Sequence, residues 1–326
     1  MNDPSSMKPV PAETSPSAPP PPEARPRTLD IVPCAQPWMG LDMRNADVAC
    51  ELFDRAAEQN LQSPLRKGST VHLPGRGRVV MTGDLHDHGP NLSKIVRFAN
   101  LEASPNNHVI LHEVVHGDSL INGCDMSVRM LAKIAALKIA FPNQVHLLQS
   151  NHELAQYRGD GILKDSINVV QAFNQGVDYI YGPNSPQVTD AVRRFVRSYP
   201  LAIRSQRGLF FAHSLPSDNK LDKFDPAVLD REPTDADLEP GGAGYVLVWG
   251  RYQTQTMCEE LAKKLGVDLF VVGHQPAEMG YELINRSLMV LASNHEHGMV
   301  LDLDLGLRYD MDKLVDALVP LAGLTG

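Results

Sequence analysis

Five short apolar runs in this chain stop abruptly at residues that ligate metals, and that repetition constrains the fold more than any other feature. Arg78-Val79-Val80-Met81-Thr82 leads into Gly83-Asp84-Leu85-His86, His108-Val109-Ile110-Leu111 into His112-Glu113, and Gln144-Val145-His146-Leu147-Leu148 into Asn151-His152-Glu153. Leu209-Phe210-Phe211-Ala212 leads into His213, and Val267-Asp268-Leu269-Phe270-Val271-Val272 into Gly273-His274. Each run is short, rich in β-branched or aromatic residues and bounded by polar or turn residues, which is the pattern of a buried strand. Helical spacing separates them. Leu92, Ile95, Val96 and Ala99 follow Pro90, Val128 to Ala140 carries a long apolar face, and Thr254 to Leu265 stops at Gly266, where a left-handed cap is expected. Strands alternating with helices predict an α/β architecture, in which functional groups collect at the carboxyl ends of the strands. All five clusters fall there.

The flanks are simpler. Residues 1–28 are crowded with proline, including Pro19-Pro20-Pro21-Pro22, and contain too little apolar surface to offset the entropy of ordering, so a disordered tail is expected. A helical segment follows over 29–70, where Arg44 to Asn60 carries Val48, Ala49, Leu52, Phe53, Ala56 and Ala57 on one face. The main α/β domain is expected over 71–310. Ser287–Ala292, Gly298–Leu303 and Gly306–Tyr309 read as a closing antiparallel meander, and Met311–Leu321 as a final helix within a C-terminal segment over 311–326.

Composition excludes several functions. With 30 Lys and Arg against 39 Asp and Glu, the net charge of -9 gives a nucleic-acid partner no global electrostatic support. No stretch approaches the roughly 20 apolar residues that span a bilayer, and the tail lacks a signal-peptide core, so a cytoplasmic protein is expected. Cys34, Cys50, Cys124 and Cys258 show neither CxxC pairing nor a disulfide framework. Gly241-Gly242-Ala243-Gly244 lacks the helix and lysine of a nucleotide loop and reads as a flexible connection. Oligomeric state is not encoded in any of these features.

An Asp-x-His triplet is by itself a common surface pairing. In Asp84-Leu85-His86 the flanks add weight, because an extended segment presents alternate side chains to one cation, Gly83 permits close backbone approach, and Gly89-Pro90 opens a helix. Gly83-Asp84-Leu85-His86, then Leu148-Gln149-Ser150-Asn151-His152-Glu153, Phe210-Phe211-Ala212-His213, Leu247-Val248-Trp249-Gly250-Arg251 and Val271-Val272-Gly273-His274-Gln275 occur in order. Together they resemble the calcineurin-type metallophosphoesterases, and Met130 to Glu153 is similar to the serine/threonine protein phosphatase branch. The resemblance spans Arg78 to Leu305.

It implies a four-layer sandwich of two mixed β-sheets flanked by helices, and two divalent ions (Mn, Fe or Zn) that activate a water to hydrolyse phosphate monoesters. By position, Asp84 and His86 would hold one ion and Asn151, His213 and His274 the other, with His152 as proton donor or transition-state stabiliser. The family's bridging Gly-Asp is replaced here. Glu113 is the favoured bridge, since His108–Leu111 already makes a strand of suitable length, while Val114-Val115-His116-Gly117-Asp118 preserves the literal Gly-Asp in a competing register. In the Glu113 register, His116 and Gly117 occupy the places of an aspartate that orients the catalytic histidine and an arginine that holds phosphate. His116 then stands as a candidate substrate ligand or a plain loop histidine, and Arg251 as the remaining phosphate clamp. Ser150 replaces a glycine, and Glu153 is expected to orient the Asn151-His152 turn. His72, His108 and His146 are expected to be surface residues, whereas His88, His295 and His297 are weighed as possible neighbours of substrate. The partner is a phosphorylated protein or small molecule. A protein phosphatase, a nucleotide or dinucleoside polyphosphate hydrolase, and a non-catalytic phospho-binding pseudophosphatase all fit the motifs.

Overall fold

Strands that are apolar on both faces need cover on both sides, and the chain supplies it by stacking two sheets between helices. The computed structural model describes residues 29–164 and 166–325; the expected proline-rich tail over 1–28 lies outside them. The chain begins with α1 (Ala46–Leu61), β1 (Arg66–Lys67), β2 (Thr70–His72), β3 (Arg78–Asp84), α2 (Gly89–Ala99), β4 (Asn107–His112), α3 (Val128–Ala140) and β5 (Val145–Leu148). Next come α4 (Asn151–Arg158), β6 (Leu163–Lys164), β7 (Ile167–Asn168), α5 (Val169–Tyr181), α6 (Ser185–Arg197), β8 (Ala202–Arg204) and β9 (Leu209–Ala212). It continues through α7 (Asp235–Leu238), α8 (Ala243–Trp249), α9 (Gln255–Leu265), β10 (Leu269–Val272), β11 (Tyr281–Asn285), β12 (Leu288–Leu291), β13 (Met299–Asp304), α10 (Met311–Asp316) and β14 (Leu318–Pro320).

One sheet has seven strands in the order β1-β2-β8-β9-β10-β12-β11, and the other five in the order β14-β13-β3-β4-β5. Both are mixed: β3, β4 and β5 run parallel, as do β9, β10 and β12, with antiparallel strands at the margins. In β9 the pleat sends Leu209 and Phe211 into the layer between the sheets, against Met81, Ile110 and Leu301. Phe210 and Ala212 face the other way, toward Leu247 of α8 and Leu261 of α9. Each such side chain contributes about 1.5–3 kcal/mol on full burial, so both layers hold the sheet in place. Helices α2 and α3 contact the other sheet through β3, β4 and β5. This is the four-layer sandwich that the resemblance implied, built on the α/β alternation that the strand pattern predicted.

The periodic helices fall where their spacing puts them. Asn45 caps α1 through its side chain, Thr254 caps α9, and Gly266 closes α9 at φ +64. The closing meander does not form. β12 pairs parallel with β10 in the seven-stranded sheet, whereas β13 pairs antiparallel with β3 in the other, so the loop between them crosses from sheet to sheet. Gly306–Tyr309 is not a strand, and the final helix ends at Asp316 because Leu318–Pro320 extends the five-stranded sheet beside β13. The glycine run is no loose connection either, since Gly242 is the N-cap of α8. From Ile31 onward the chain forms one unit, in which α1 packs on α3 and α6. The four cysteines are free, and no helix among the described residues is long and apolar enough to cross a membrane.

His108 and His146 are not surface residues. They are 3% and 2% exposed, stacked at 5.3 Å, with His108 Nδ1 3.1 Å from His146 Nε2. Lys138, also buried, donates to the carbonyls of Pro142 and Val145. Burial holds His108 at about 4, keeps His146 well below the usual histidine range, and pushes Lys138 down to about 7. A histidine whose folded pKa is depressed binds fewer protons than the unfolded chain below the unfolded value of about 6.5. Stability therefore falls as pH drops from about 6.5 toward 4, by up to about 1.4 kcal/mol per pH unit for each such imidazole. Urea unfolding across this range should show that slope, and His108→Leu/His146→Leu should flatten part of it; an unchanged slope would assign the acid sensitivity elsewhere.

Candidate metal centre

The carboxyl ends of β3, β4, β9 and β10 meet at one point because the backbone is bent there. Opposite β4, β3 carries an irregularity: Met81 pairs with Ile110 but Asp84 with His112, so β3 spends one more residue than its partner. Such a bulge re-aims the side chains that follow it. Gly83 lies so near the other sheet that a Cβ would overlap the backbone of Leu291, and Asp84 bridges to Ala292. Gly273 is equally constrained, since a Cβ there would strike the Asp84 carboxylate. Among described residues, five of the nine non-glycines with positive φ cluster at this point: His86, Asp87, Glu113, His116 and His274. Backbone of this kind costs about 1–3 kcal/mol per residue and persists where the surroundings enforce it.

Glu113 stands in the middle. Its Oε1 is 3.0 Å from His86 Nε2 and 3.9 Å from His152 Nε2, and its Oε2 is 3.0 Å from His213 Nε2. His213 Nε2 also lies 2.6 Å from Asn151 Oδ1 and 3.1 Å from His274 Nδ1, while Asn151 Oδ1 and His274 Nδ1 are 2.9 Å apart. Asp84 accepts the backbone N–H of His274 at 2.9 Å. The competing residue Asp118 is exposed and pairs with Lys164 instead. The structure thus brings together Asp84, His86, Glu113, Asn151, His152, His213 and His274, and leaves Asp118 outside. It adds His112, which in the sequence stands out only as a departure from the glycine of the resembled family. His112 is fully buried, with Nε2 3.9 Å from Asp84 Oδ1, and forms with Asp84 and His213 a second trio of donors close enough to share a cation, beside Asp84, His86 and Glu113.

His116 corrects an expectation. It is 0% exposed and lies beneath His152, so contact with substrate is not open to it. Its Nδ1 is 2.8 Å from His152 Nδ1, and its Nε2 is 3.3 Å from Gln156 Oε1. Gln156 Nε2 donates to Asn174 Oδ1 at 2.7 Å, which turns its carbonyl oxygen toward His116. His116 must then carry its proton on Nε2 and accept at Nδ1, so His152 donates from Nδ1 and keeps Nε2 toward Glu113. A neutral imidazole therefore orients His152 in the place where the resemblance implied a carboxylate. Ser150 does more than replace a glycine: it caps α4, accepting from the N–H groups of His152 and Glu153, and donates to the Glu153 carboxylate. Glu153 in turn accepts Val114 N–H at 2.8 Å, tying the Asn151-His152 turn to the Glu113 loop.

Above these groups opens a cleft of about 530 Å³. Arg251 lines it, as do Trp249, Lys164 and His295. Lys164 had no sequence signal of its own, lying in a short hairpin without periodicity. His295 Nε2 also contacts Ala277 O at 3.1 Å, whereas His88 caps α2 and His297 is exposed beside Glu296. Asn91 holds this loop by donating to Ser293 O and His295 O.

The charges in this pocket are ill-matched without a cation. Burial, then the charge of Glu113, raises Asp84 above the carboxylate range. Burial would also raise Glu113, but His213, His152 and His86 pull it well below. Burial lowers His152 to about 4 and His112 to about 3, while for His86 the Glu113 charge overcomes burial and lifts it to about 9. Glu113 Oε2, His213 Nδ1, His274 Nε2 and both His112 nitrogens are buried without an aligned hydrogen-bond partner. Buried polar atoms are normally satisfied. His86 moreover places Nδ1 3.1 Å from Val115 O, the backbone contact that fixes a tautomer and frees Nε2 to ligate. The donor set of carboxylate, amide oxygen and imidazole suits Mn, Fe or Zn.

Glu113→Gln keeps the size of the side chain but removes its charge. At least one cation should be lost on dialysis, measured by elemental analysis, while Asp118→Asn retains full content. The reverse result would put the bridge at Asp118.

Comparison with known proteins agrees with this geometry. The calcineurin-like phosphoesterase family profile matches residues 77–278. A probable serine/threonine-protein phosphatase of Encephalitozoon cuniculi (strain GB-M1) is 25% identical over 253 residues, covering 72% of this chain and 50% of that protein, so the chain spans about half the length of this curated relative. Among solved structures, a protein serine/threonine phosphatase from Saccharomyces cerevisiae matches at a TM-score of 0.60 and 16% identity, over 85% of this chain and 93% of that one. A cold-active protein-tyrosine phosphatase of a psychrophilic Shewanella matches at 0.50 and 16%, over 76% and 80%. The profile covers more than half of the chain and contains the whole convergent cluster from Asp84 to His274: this protein belongs to the calcineurin-like phosphoesterase family.

Proposed function

We propose that this protein hydrolyses phosphate monoesters, with phosphoserine or phosphothreonine in proteins as the favoured substrate. The observation that carries the reading is the convergence on Glu113 of His86 and His213 at 3.0 Å and of His152 at 3.9 Å, at the floor of an open cleft. Asp84, His86 and Glu113 would hold one divalent ion, and Glu113, Asn151, His213 and His274 a second. When bound, such a pair polarises phosphoryl oxygens and lowers the pKa of water.

The chain's own side chains account for the rest. His152, held through Nδ1 by His116, keeps an unprotonated Nε2 directed at the cleft; it would take a proton there from water and pass it, as imidazolium, to the leaving-group oxygen. Arg251 enters the cleft after α8 with no carboxylate partner for its guanidinium among the described residues, which leaves its planar fork free for phosphate oxygens. Trp249 stands edge-on to His274, with ring centroids 6.4 Å apart, and lines that side of the cleft. The likeness to serine/threonine phosphatases of Encephalitozoon and yeast favours a serine/threonine substrate. The neutral His116 and the bare Gly117 favour a second reading, a phospho-binding protein with little turnover.

A panel of phosphopeptides, nucleotides, a dinucleoside polyphosphate and an aryl phosphate, assayed with added Mn, separates these readings. Turnover of phosphopeptide and aryl phosphate that chelator abolishes is expected, and His152→Ala should lower it about 10²–10⁴-fold with metal content retained. Binding of phosphopeptide by metal-loaded protein with no hydrolysis of any ester would establish the second reading instead.

A further inference from the structure

The cleft is lined by a guanidinium and an ammonium from separate elements, Arg251 after α8 and Lys164 on the β6–β7 hairpin. Only the first has a role so far. Lys164 is tethered to Asp118 at 2.5 Å, in a pair whose side chains are 35% and 68% exposed. An ion pair so open to water adds little to stability, too little to explain the placement of a lysine over this site. An ammonium has three donors, and Asp118 engages one side of it.

The hairpin is itself built toward the cleft. Each of its strands is two residues long, and Ile162, Leu163 and Lys164 all line the opening, Leu163 while 75% exposed. Asp118 stands two residues beyond His116 on the loop that carries Glu113, so the tether joins the hairpin tip to the same loop that enters the centre. Gly117, between His116 and Asp118, offers no side chain from that loop. A phosphate group resting above Glu113 would be a dianion needing charge from more than one direction.

We propose that Lys164 binds phosphate oxygens of the substrate opposite the groups on the floor, with Asp118 positioning its ammonium. This rests on the phosphoesterase reading of the same site. The hairpin then acts as a substrate-binding element: its cation meets the phosphoryl group, and Ile162 and Leu163 flank the group esterified to it.

Inorganic phosphate is the probe. Its binding to metal-loaded protein can be followed by calorimetry, beside steady-state kinetics on an aryl phosphate and metal content for every variant. Lys164→Ala should weaken phosphate binding about 10-fold and raise KM by a similar factor, with kcat changed less than about 3-fold and metal content intact, as expected for a charge-assisted contact of about 1.4 kcal/mol. Lys164→Arg should recover affinity to within about 3-fold, and Asp118→Asn, which leaves the ammonium in place, should lose less than Lys164→Ala. Wild-type phosphate affinity in Lys164→Ala, or a loss that arginine does not rescue, would overturn the proposal. If the wild-type protein itself neither binds phosphate nor turns over, the phosphoesterase reading fails first.

Discussion

The near-contact of the two sheets at Gly83 and Leu291 is the constraint from which the rest of the structure follows. Stacked sheets ordinarily sit about 10 Å apart, too far for short side chains of both to meet at one atom. Here β3 bulges, loses its side chain at Gly83 and bridges to Ala292, while Ser293 Oγ accepts Gly83 N–H at 2.8 Å. Asp84 and Glu113 from one sheet thereby come within reach of His213 and His274 from the other. Gly273 repeats the device one strand away. Neither glycine is there for flexibility, since both positions are occupied by a neighbour's atoms.

That geometry is expensive, and the cost is electrostatic as well as conformational. Two carboxylates and several imidazoles share a buried pocket, five of whose residues or close neighbours adopt left-handed backbone. The apolar layers on either face of β9 and β10 offset it, and the strain is concentrated where ligands are wanted. The second layer of contacts is unusual in its chemistry. Asn174, Gln156 and His116 form an uncharged chain that fixes one tautomer of His152, so orientation is supplied without adding another buried negative charge beside Glu113.

Much of this was legible in the sequence because it is local. Short continuous apolar runs, Gly266 after a helical repeat, and ligand residues at strand ends are properties of neighbouring residues, and they identified the strands, α3, α9 and the convergent residues from Asp84 to His274. The strand length of His108–Leu111 was enough to favour Glu113 over Asp118. What escaped depends on distant pairing. Nothing near Leu288 or Val300 tells whether two successive strands form a hairpin or enter different sheets. His108 and His146 alternate with apolar residues as surface histidines do, and only their juxtaposition across β4 and β5 buries them. His116 read equally as a substrate ligand or a loop residue, and only the packing of His152 and Gln156 of α4 against it gives it another place. Lys164 belongs to a hairpin too short for any periodicity.

The return of β13 to the five-stranded sheet has a consequence for how the chain is made. β3 is flanked by β4, which follows it closely, and by β13, whose Val300 pairs with Thr82 only after all of the other sheet has been specified. Until then one edge of β3, apolar and leading to Asp84, is an open template for another strand. Closing so long a loop is entropically slow and favours topologies that assemble late. A nascent chain thus holds most of its ligand residues well before it can hold them still, and a cation encountered at that stage meets side chains with no fixed geometry. Firm binding of any cation at this centre would therefore wait on β13, a strand that supplies no ligand.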